Sequence, residues 1–326
     1  MIDAPTHGGN LSTASVLYGT PAAGWLDLST GINPNRYPFQ APPLEVHARL
    51  PDQAREQALV GAAQRYYGTP AEVMLGAGSQ SFIQSLPKLR PVGKVAVLSP
   101  TYAEHAHAWR AAGHEVIEQA EDADISSFGV VVAVNPNNPD GRLLSVQQLM
   151  DMHAALATRG GWLIVDEAFA DTEPKTSIAD HAGVPGLVVL RSFGKFFGLA
   201  GVRLGFALCD KALATALRSV LGPWSVSGPA LHIGHQALID AEWQIQARAD
   251  LSGARKRIDK LLGEAGVRVL GGTNLFRLVE TKSSALHEKL ARAGIWTRAF
   301  DFCPDILRIG LPGSEADWKR LANALL

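Results

Sequence analysis

Four short apolar runs do most to limit the folds open to this 326-residue chain. They are Val95-Ala96-Val97-Leu98, Val130-Val131-Val132-Ala133-Val134, Trp162-Leu163-Ile164-Val165 and Leu187-Val188-Val189-Leu190. None alternates apolar with polar residues, so each reads as a strand buried on both faces. Helical patterns over about 102–112 and 145–158 fall between them, and this βα alternation predicts an α/β fold with a doubly wound, mostly parallel sheet. In open sheets of that kind, ligands bind beyond the carboxyl ends of the strands. Ser99, Asn135, Asp166 and Ser192 each stand at or just after such an end.

The rest of the chain is arranged around that core. Residues 1–39 are rich in Gly, Pro, Asn, Ser and Thr and read as an irregular N-terminal arm. Asp52 is placed to cap a helix through Tyr67, with Gly68 as its stop. Gly76-Ala77-Gly78-Ser79-Gln80 is a glycine turn that opens a helix over 81–89. Long helices follow over 210–221, 227–240 and 242–265. A smaller α+β unit then has strands near 267–270, 274–279, 295–298 and 306–309, and a last helix from Ser314. The expected organisation is an arm (1–39) contributing to the active site, a large domain (40–225) and a small C-terminal domain (226–326).

Composition removes several classes of function. Lys plus Arg (30) nearly balances Asp plus Glu (31), which gives no basic surface for nucleic acid or membrane. No apolar run reaches membrane-spanning length, and Met1-Ile2-Asp3-Ala4 does not read as a signal peptide. The two cysteines, Cys209 and Cys303, form neither a metal-ligand spacing nor a disulfide framework, and no metal site is expected among the histidines. His105, His107, His153, His232 and His235 read as packing or surface residues. A soluble, cytoplasmic protein is the expectation.

The chemistry gathers in Arg191-Ser192-Phe193-Gly194-Lys195-Phe196-Phe197-Gly198, with Arg203 downstream. A lysine set among glycines and aromatics is partly desolvated, which favours the neutral amine that attacks an aldehyde. A neighbouring hydroxyl and guanidinium suit a phosphate. An aldehyde bearing a phosphate describes pyridoxal 5'-phosphate. Asp166 would keep a pyridine nitrogen protonated and so make the ring an electron sink. Asn135-Pro136-Asn137-Asn138-Pro139-Asp140-Gly141 presents an amide from a proline-fixed turn. Gly78-Ser79-Gln80 offers backbone N–H groups to a phosphate, and Tyr102 would stack on an aromatic ring. Each has a plain alternative: a strand-to-loop lysine, a solvated loop aspartate, a generic turn, a core tyrosine. Their ordered combination is what carries specificity.

That combination resembles the fold-type I pyridoxal-phosphate enzymes, in the class I/II aminotransferase group near histidinol-phosphate aminotransferase, over nearly the whole chain. The resemblance implies that Lys195 bonds the cofactor aldehyde, Asp166 meets the pyridine nitrogen, Asn138 meets the ring hydroxyl and Tyr102 stacks on the ring. Gly78, Ser79, Gln80, Ser192 and Arg203 would hold the phosphate, and Arg308 the substrate carboxylate. Two positions depart from the family: Phe169 stands where a tyrosine is frequent, and Leu50 precedes Pro51-Asp52 where the family often has a tyrosine donated across a dimer interface. His7-Gly8-Gly9-Asn10, with Asn33-Pro34, resembles the opening of the threonine-phosphate decarboxylases of cobalamin biosynthesis. The implied reaction removes CO2 from L-threonine O-3-phosphate, with His7, Gly8, Gly9, Asn10, Asn33 and Arg298 also at the substrate and a homodimer as the assembly. A histidinol-phosphate or related aminotransferase is the alternative, and Arg298 and Arg308 could exchange duties. A dinucleotide-dependent dehydrogenase is disfavoured because Ser81 stands where Gly-x-Gly-x-x-Gly needs its third glycine. A cofactor-sensing transcription regulator would need a basic DNA-binding segment that the sequence lacks.

Overall fold

The structure, a computed structural model, describes residues 5, 7–282 and 284–326. The described residues divide into two compact units: 5, 37–138 and 143–244 form the first, and 7–36, 139–142, 245–282 and 284–326 the second. Among the described residues, no helix is long and apolar enough to cross a membrane, and no cluster of His, Cys, Asp or Glu could hold a metal ion.

The first unit is built on a seven-stranded sheet. From edge to edge the order is Glu72–Gly76, Gly205–Cys209, Leu187–Ser192, Trp162–Asp166, Val130–Val134, Lys94–Leu98 and Glu115–Gln119. Only Gly205–Cys209 runs against its neighbours; the other pairings are parallel. The four apolar runs occupy the centre, and all five residues of Val130–Val134 are buried. One face packs Val97, Val132, Ile164 and Val188 under Phe82, Trp109 and Leu217, which come from three helices. Because the parallel strands point the same way, Gly76, Ser99, Asn135, Asp166 and Ser192 lie along one edge. The edge strand Glu115–Gln119 has no apolar run, being mostly exposed.

Helix boundaries follow local chemistry. Asp52 accepts the Arg55 N–H at 2.9 Å to open Gln53–Tyr67, and Gly68 closes it with φ 61°. Val146–Ala157 starts in a reciprocal capping box between Ser145 and Gln148. The glycine turn at 76–78 leads directly into the helix Ser79–Ser85, which continues as a single 3₁₀ turn over Leu86–Leu89.

The second unit holds a four-stranded antiparallel sheet, in the order Arg298–Phe300, Cys303–Gly310, Phe276–Glu280 and Val269–Thr273. The stretch near 295–298 is split in two. Ile295–Trp296 pairs in parallel with Leu26–Asp27, and only Arg298–Phe300 joins the larger sheet. The N-terminal segment is more regular than its composition implies, because Leu11–Tyr18 is helical. Tyr18 packs edge-on to His287 and tilted against Trp296, with ring centroids 6.4 and 6.1 Å apart. These tertiary contacts outweigh the weak helix propensity of its Ser and Thr residues.

Candidate active site

A cavity of about 130 Å³ opens in the first unit along the strand-end edge. Gly78, Ser79, Gln80, Ser192 and Arg203 line it. Tyr102 and Asn138 line the wall, and Asp166 and Lys195 face the same space. These nine residues, dispersed over 126 positions from Gly78 to Arg203, meet in one volume.

Several are held from behind. Asp166 ends its strand 3% exposed. Its Oδ1 accepts the Ala168 N–H at 3.0 Å, and its Oδ2 lies 2.8 Å from Nε2 of His105, itself 1% exposed. An ionised carboxylate only accepts hydrogen bonds, so that ring nitrogen carries the proton. With both oxygens engaged, the carboxylate plane is fixed. His105 stands three residues after Tyr102, a spacing that puts both on one side of the turn opening Glu104–Ala111; their rings meet edge to face at 6.1 Å. His105, expected to be a packing or surface residue, is instead a buried partner of Asp166, and its i, i+3 spacing to Tyr102 is the signal in the sequence.

The asparagine loop divides its labour. Asn135 exchanges two hydrogen bonds with the backbone of Leu144, and Asn137 donates to the Pro100 carbonyl while accepting from Thr101. Those two hold the loop's shape, and Asn138 faces the cavity. Lys195 sits on the four-residue helix Phe193–Phe196, and its Nζ is 5.7 Å from the centre of the Phe169 ring. A hydrocarbon face thus flanks the amine. Ser192 precedes that helix without capping it through its side chain.

Arg203 adopts the left-handed conformation, φ 56° and ψ 55°, which costs a non-glycine residue on the order of 1–2 kcal/mol. Gly78 also has positive φ, and a Cβ there would lie 2.7 Å from Arg203 Nη2. Only glycine lets the guanidinium approach the turn. Gln80 donates its side-chain amide to buried Glu104 at 2.6 Å, so what it offers the cavity is its backbone at the helix start. A flat ring bearing a phosphate and an aldehyde fits this set, because one cavity brings together helix-start N–H donors and a guanidinium, a tyrosine, a buried carboxylate and an amine.

Behind the strand ends lies a buried ionic group absent from the sequence reading. Arg191 contacts Glu167 and Asp171, and its guanidinium lies over the Tyr67 ring at 4.4 Å. Glu167 also accepts Ser177 Oγ and the Ile178 N–H. Burial opposes the Arg191 charge, yet the Asp171 and Glu167 carboxylates outweigh it and hold the guanidinium well above its usual value. Glu167 follows Asp166 and Arg191 precedes Ser192, so this group ties together the ends of two strands that deliver site residues.

The second unit carries the remaining candidates. Arg298 and Arg308 are direct partners across two antiparallel strands and therefore share a face. Arg308, 7% exposed, donates through Nη2 to the Ser29 carbonyl at 2.7 Å and lies over the Phe276 ring. Arg298 lies over Phe300, and burial lowers its pKa from the usual arginine value. Gly9 donates to Ser29 Oγ at 2.7 Å, Gly8 packs on the Ser29 backbone, and exposed His7 precedes them. Asn10 caps the helix Leu11–Tyr18 by accepting from Thr13 at 3.2 Å. Asn33 is buried and accepts the Asn35 N–H. Leu50 is exposed beside Pro51 and takes no part in the cavity.

Comparison with known proteins agrees with this layout. Residues 47–325 match the family model described as aminotransferase class I and II. A threonine-phosphate decarboxylase of Pseudomonas aeruginosa is 51% identical over 98% of this chain and 97% of its own length, and one of Sinorhizobium sp is 45% identical over the same shares. Among solved structures, histidinol-phosphate aminotransferase from Sinorhizobium meliloti, in complex with pyridoxal-5'-phosphate, gives a TM-score of 0.82 at 21% identity over 99% of this chain and 94% of that one. L-threonine-O-3-phosphate decarboxylase from Porphyromonas gingivalis gives 0.77 at 21% identity, over 92% and 98%. At such identities the two structures speak for the fold alone. With the family match over most of its length and two relatives above 40% identity, the chain belongs to the class I and II aminotransferase family.

Proposed function

We propose that this protein is a pyridoxal 5'-phosphate-dependent decarboxylase that converts L-threonine O-3-phosphate to (R)-1-amino-2-propanol O-2-phosphate, a linker made for cobalamin. The observation that carries the reading is the register that sets Arg298 directly opposite Arg308. Like charges in that position repel, and an anion with more than one charged group relieves the repulsion. A substrate with a carboxylate and a phosphate is such an anion. The near-full-length relatives named threonine-phosphate decarboxylase support the same substrate.

Bound in the cavity of the first unit, the cofactor supplies a ring that accepts the electron pair of the substrate Cα bond lying perpendicular to it. Lys195 lines that cavity and would hold the cofactor aldehyde through Nζ, and the same amine would be the group placed to give a proton to the substrate Cα. Asp166, with its plane set by His105 and the Ala168 N–H, holds the proton of the ring nitrogen. Ser79, Ser192 and Arg203 receive the cofactor phosphate, Asn138 the ring hydroxyl, and Tyr102 covers one ring face. Arg308 takes the substrate carboxylate and Arg298 its phosphate. His7, Gly8, Gly9, Asn10 and Asn33 complete the substrate contacts. Fixing both anionic groups selects which Cα bond is broken.

The deciding experiment incubates the holoenzyme with L-threonine O-3-phosphate and, separately, with histidinol phosphate and a keto-acid acceptor. Stoichiometric CO2 from the first and no glutamate from the second is expected. Glutamate without CO2 would make the protein an aminotransferase. The same reading places it in the cytoplasm, where the thiols Cys209 and Cys303 stay reduced. It also makes it a homodimer, which would cover exposed apolar residues such as Leu44 and Trp224; a monomeric mass in solution would oppose this.

A further inference from the structure

Ser29 is fully buried and joins three parts of the second unit. Its carbonyl accepts Arg308 Nη2 at 2.7 Å. Its Oγ accepts the Gly9 N–H at 2.7 Å and donates to Asp27 Oδ1 at 2.6 Å, while its own N–H donates to the same oxygen at 2.9 Å. The residue before it is pinned on both sides, because the Leu28 N–H donates to the Trp296 carbonyl and the Gly310 N–H to the Leu28 carbonyl, each at 2.7 Å. Ser29 therefore has little freedom to shift. Gly8 presses on it from the N-terminal side: a Cβ at position 8 would lie 2.4 Å from the Ser29 carbonyl oxygen and 3.0 Å from its carbon. Those are backbone atoms, and they cannot swing aside as a side chain would.

A buried guanidinium needs fixed acceptors, and the direction of Arg308 is set by this carbonyl and by the Phe276 face 5.1 Å away. We infer that Ser29 is a positioning residue for Arg308, and that glycine at position 8 is required to keep the Ser29 carbonyl aimed at the guanidinium. The inference rests on the proposed role of Arg308 at the substrate. It assigns the Gly8-Gly9 turn a part in substrate affinity that acts through Ser29, beyond any direct contact.

The test is calorimetric binding of L-threonine O-3-phosphate to the borohydride-reduced holoenzyme, which binds without turnover. Gly8→Ala is expected to raise Kd about tenfold and Ser29→Ala about threefold, the loss of one or part of one charge-assisted hydrogen bond. The reduced-cofactor absorbance stays at its wild-type value, and the melting temperature falls by no more than local strain and the lost Ser29 hydrogen bonds account for. Arg308→Ala also raises Kd, and adding Gly8→Ala to it changes Kd less than about twofold, because both substitutions remove one interaction. Gly8→Ala binding within twofold of wild type, or fully additive losses, would overturn the assignment. If Gly8→Ala does not accumulate folded, Ser29→Ala combined with Arg308→Ala decides by the same criterion. Wild-type protein that binds the ligand but releases no CO2 overturns the proposed reaction and leaves the positioning role intact. Wild-type protein that does not bind it overturns both.

Discussion

The two units assemble their charged groups by different means. In the first, parallel strands end along one edge and each contributes a residue or a turn, so Asp166, Ser192 and the loop after Val134 meet because of where the strands stop. In the second, Arg298 and Arg308 meet through antiparallel register, and Arg308 finds its acceptor on Ser29, 279 positions away. Delivery by strand ends is local in sequence and tolerates variation elsewhere. Delivery by register depends on one pairing being kept. The first unit should therefore lose function through single side chains, and the second through changes in geometry.

The largest effect separates the units most cleanly. Lys195→Ala is expected to lower CO2 release by at least about 10⁴-fold, the upper range for a positioned proton-transfer group, and borohydride should no longer fix the cofactor to the peptide containing residue 195. Retained activity, or labelling of another lysine, would remove the first unit from the chemistry. Next in size is the ionic group behind the strand ends. Arg191→Met leaves Glu167 and Asp171 buried without their cation, at a cost of about 3–5 kcal/mol. Calorimetry should show the melting temperature of the first unit falling by roughly 10 °C. Adding Glu167→Gln and Asp171→Asn should restore much of it. Failure of that rescue would show that the carboxylates are not what makes the loss costly.

How legible each region is in the sequence follows from the same contrast. The central strands are legible because burial on both faces leaves unbroken Val, Ile and Leu runs, and Tyr102, Asn138, Asp166, Ser192 and Lys195 because each lies at the end of such a run or within five residues of it. Glu115–Gln119 was invisible for the opposite reason: an edge strand with exposed Glu residues has neither pattern. Leu11–Tyr18 was hidden by its Ser and Thr residues, its stability coming from the Asn10 cap and from packing against His287 and Trp296. His105 has only its i, i+3 spacing to Tyr102 as a signal and Arg191 has none, because what matters is the partner each meets across 61 and 20–24 positions. The facing of Arg298 and Arg308 depends on the hairpin between them, including a register shift at Ala299/Phe300. No spacing rule announces that shift.

Intermediate effects test the register. Arg298→Ala should weaken binding of L-threonine O-3-phosphate by about 10- to 150-fold, the equivalent of roughly 1.5–3 kcal/mol for a charge-assisted hydrogen bond, while binding of unphosphorylated L-threonine changes little. Equal losses for both ligands would take Arg298 off the phosphate. A loss confined to the carboxylate would exchange its duty with that of Arg308.

The smallest effect concerns Asn10, whose side chain has two claims on it. Its Oδ1 caps the helix Leu11–Tyr18 through the Thr13 N–H, and its Nδ2 is a donor proposed for the substrate. Asn10→Ser retains a good capping oxygen but is too short to supply the amide donor. Asn10→Ala removes both. If the two roles coexist, Asn10→Ser should leave the melting temperature unchanged and raise KM about two- to tenfold, as for one neutral hydrogen bond. Asn10→Ala should show the same rise in KM together with a stability loss of about 1 kcal/mol. A wild-type KM in Asn10→Ser would reduce Asn10 to a cap and leave the arm's contribution to Gly8, Gly9 and the serine they rest on. The second unit's anion chemistry would then depend on backbone placement more than on any side chain of the arm.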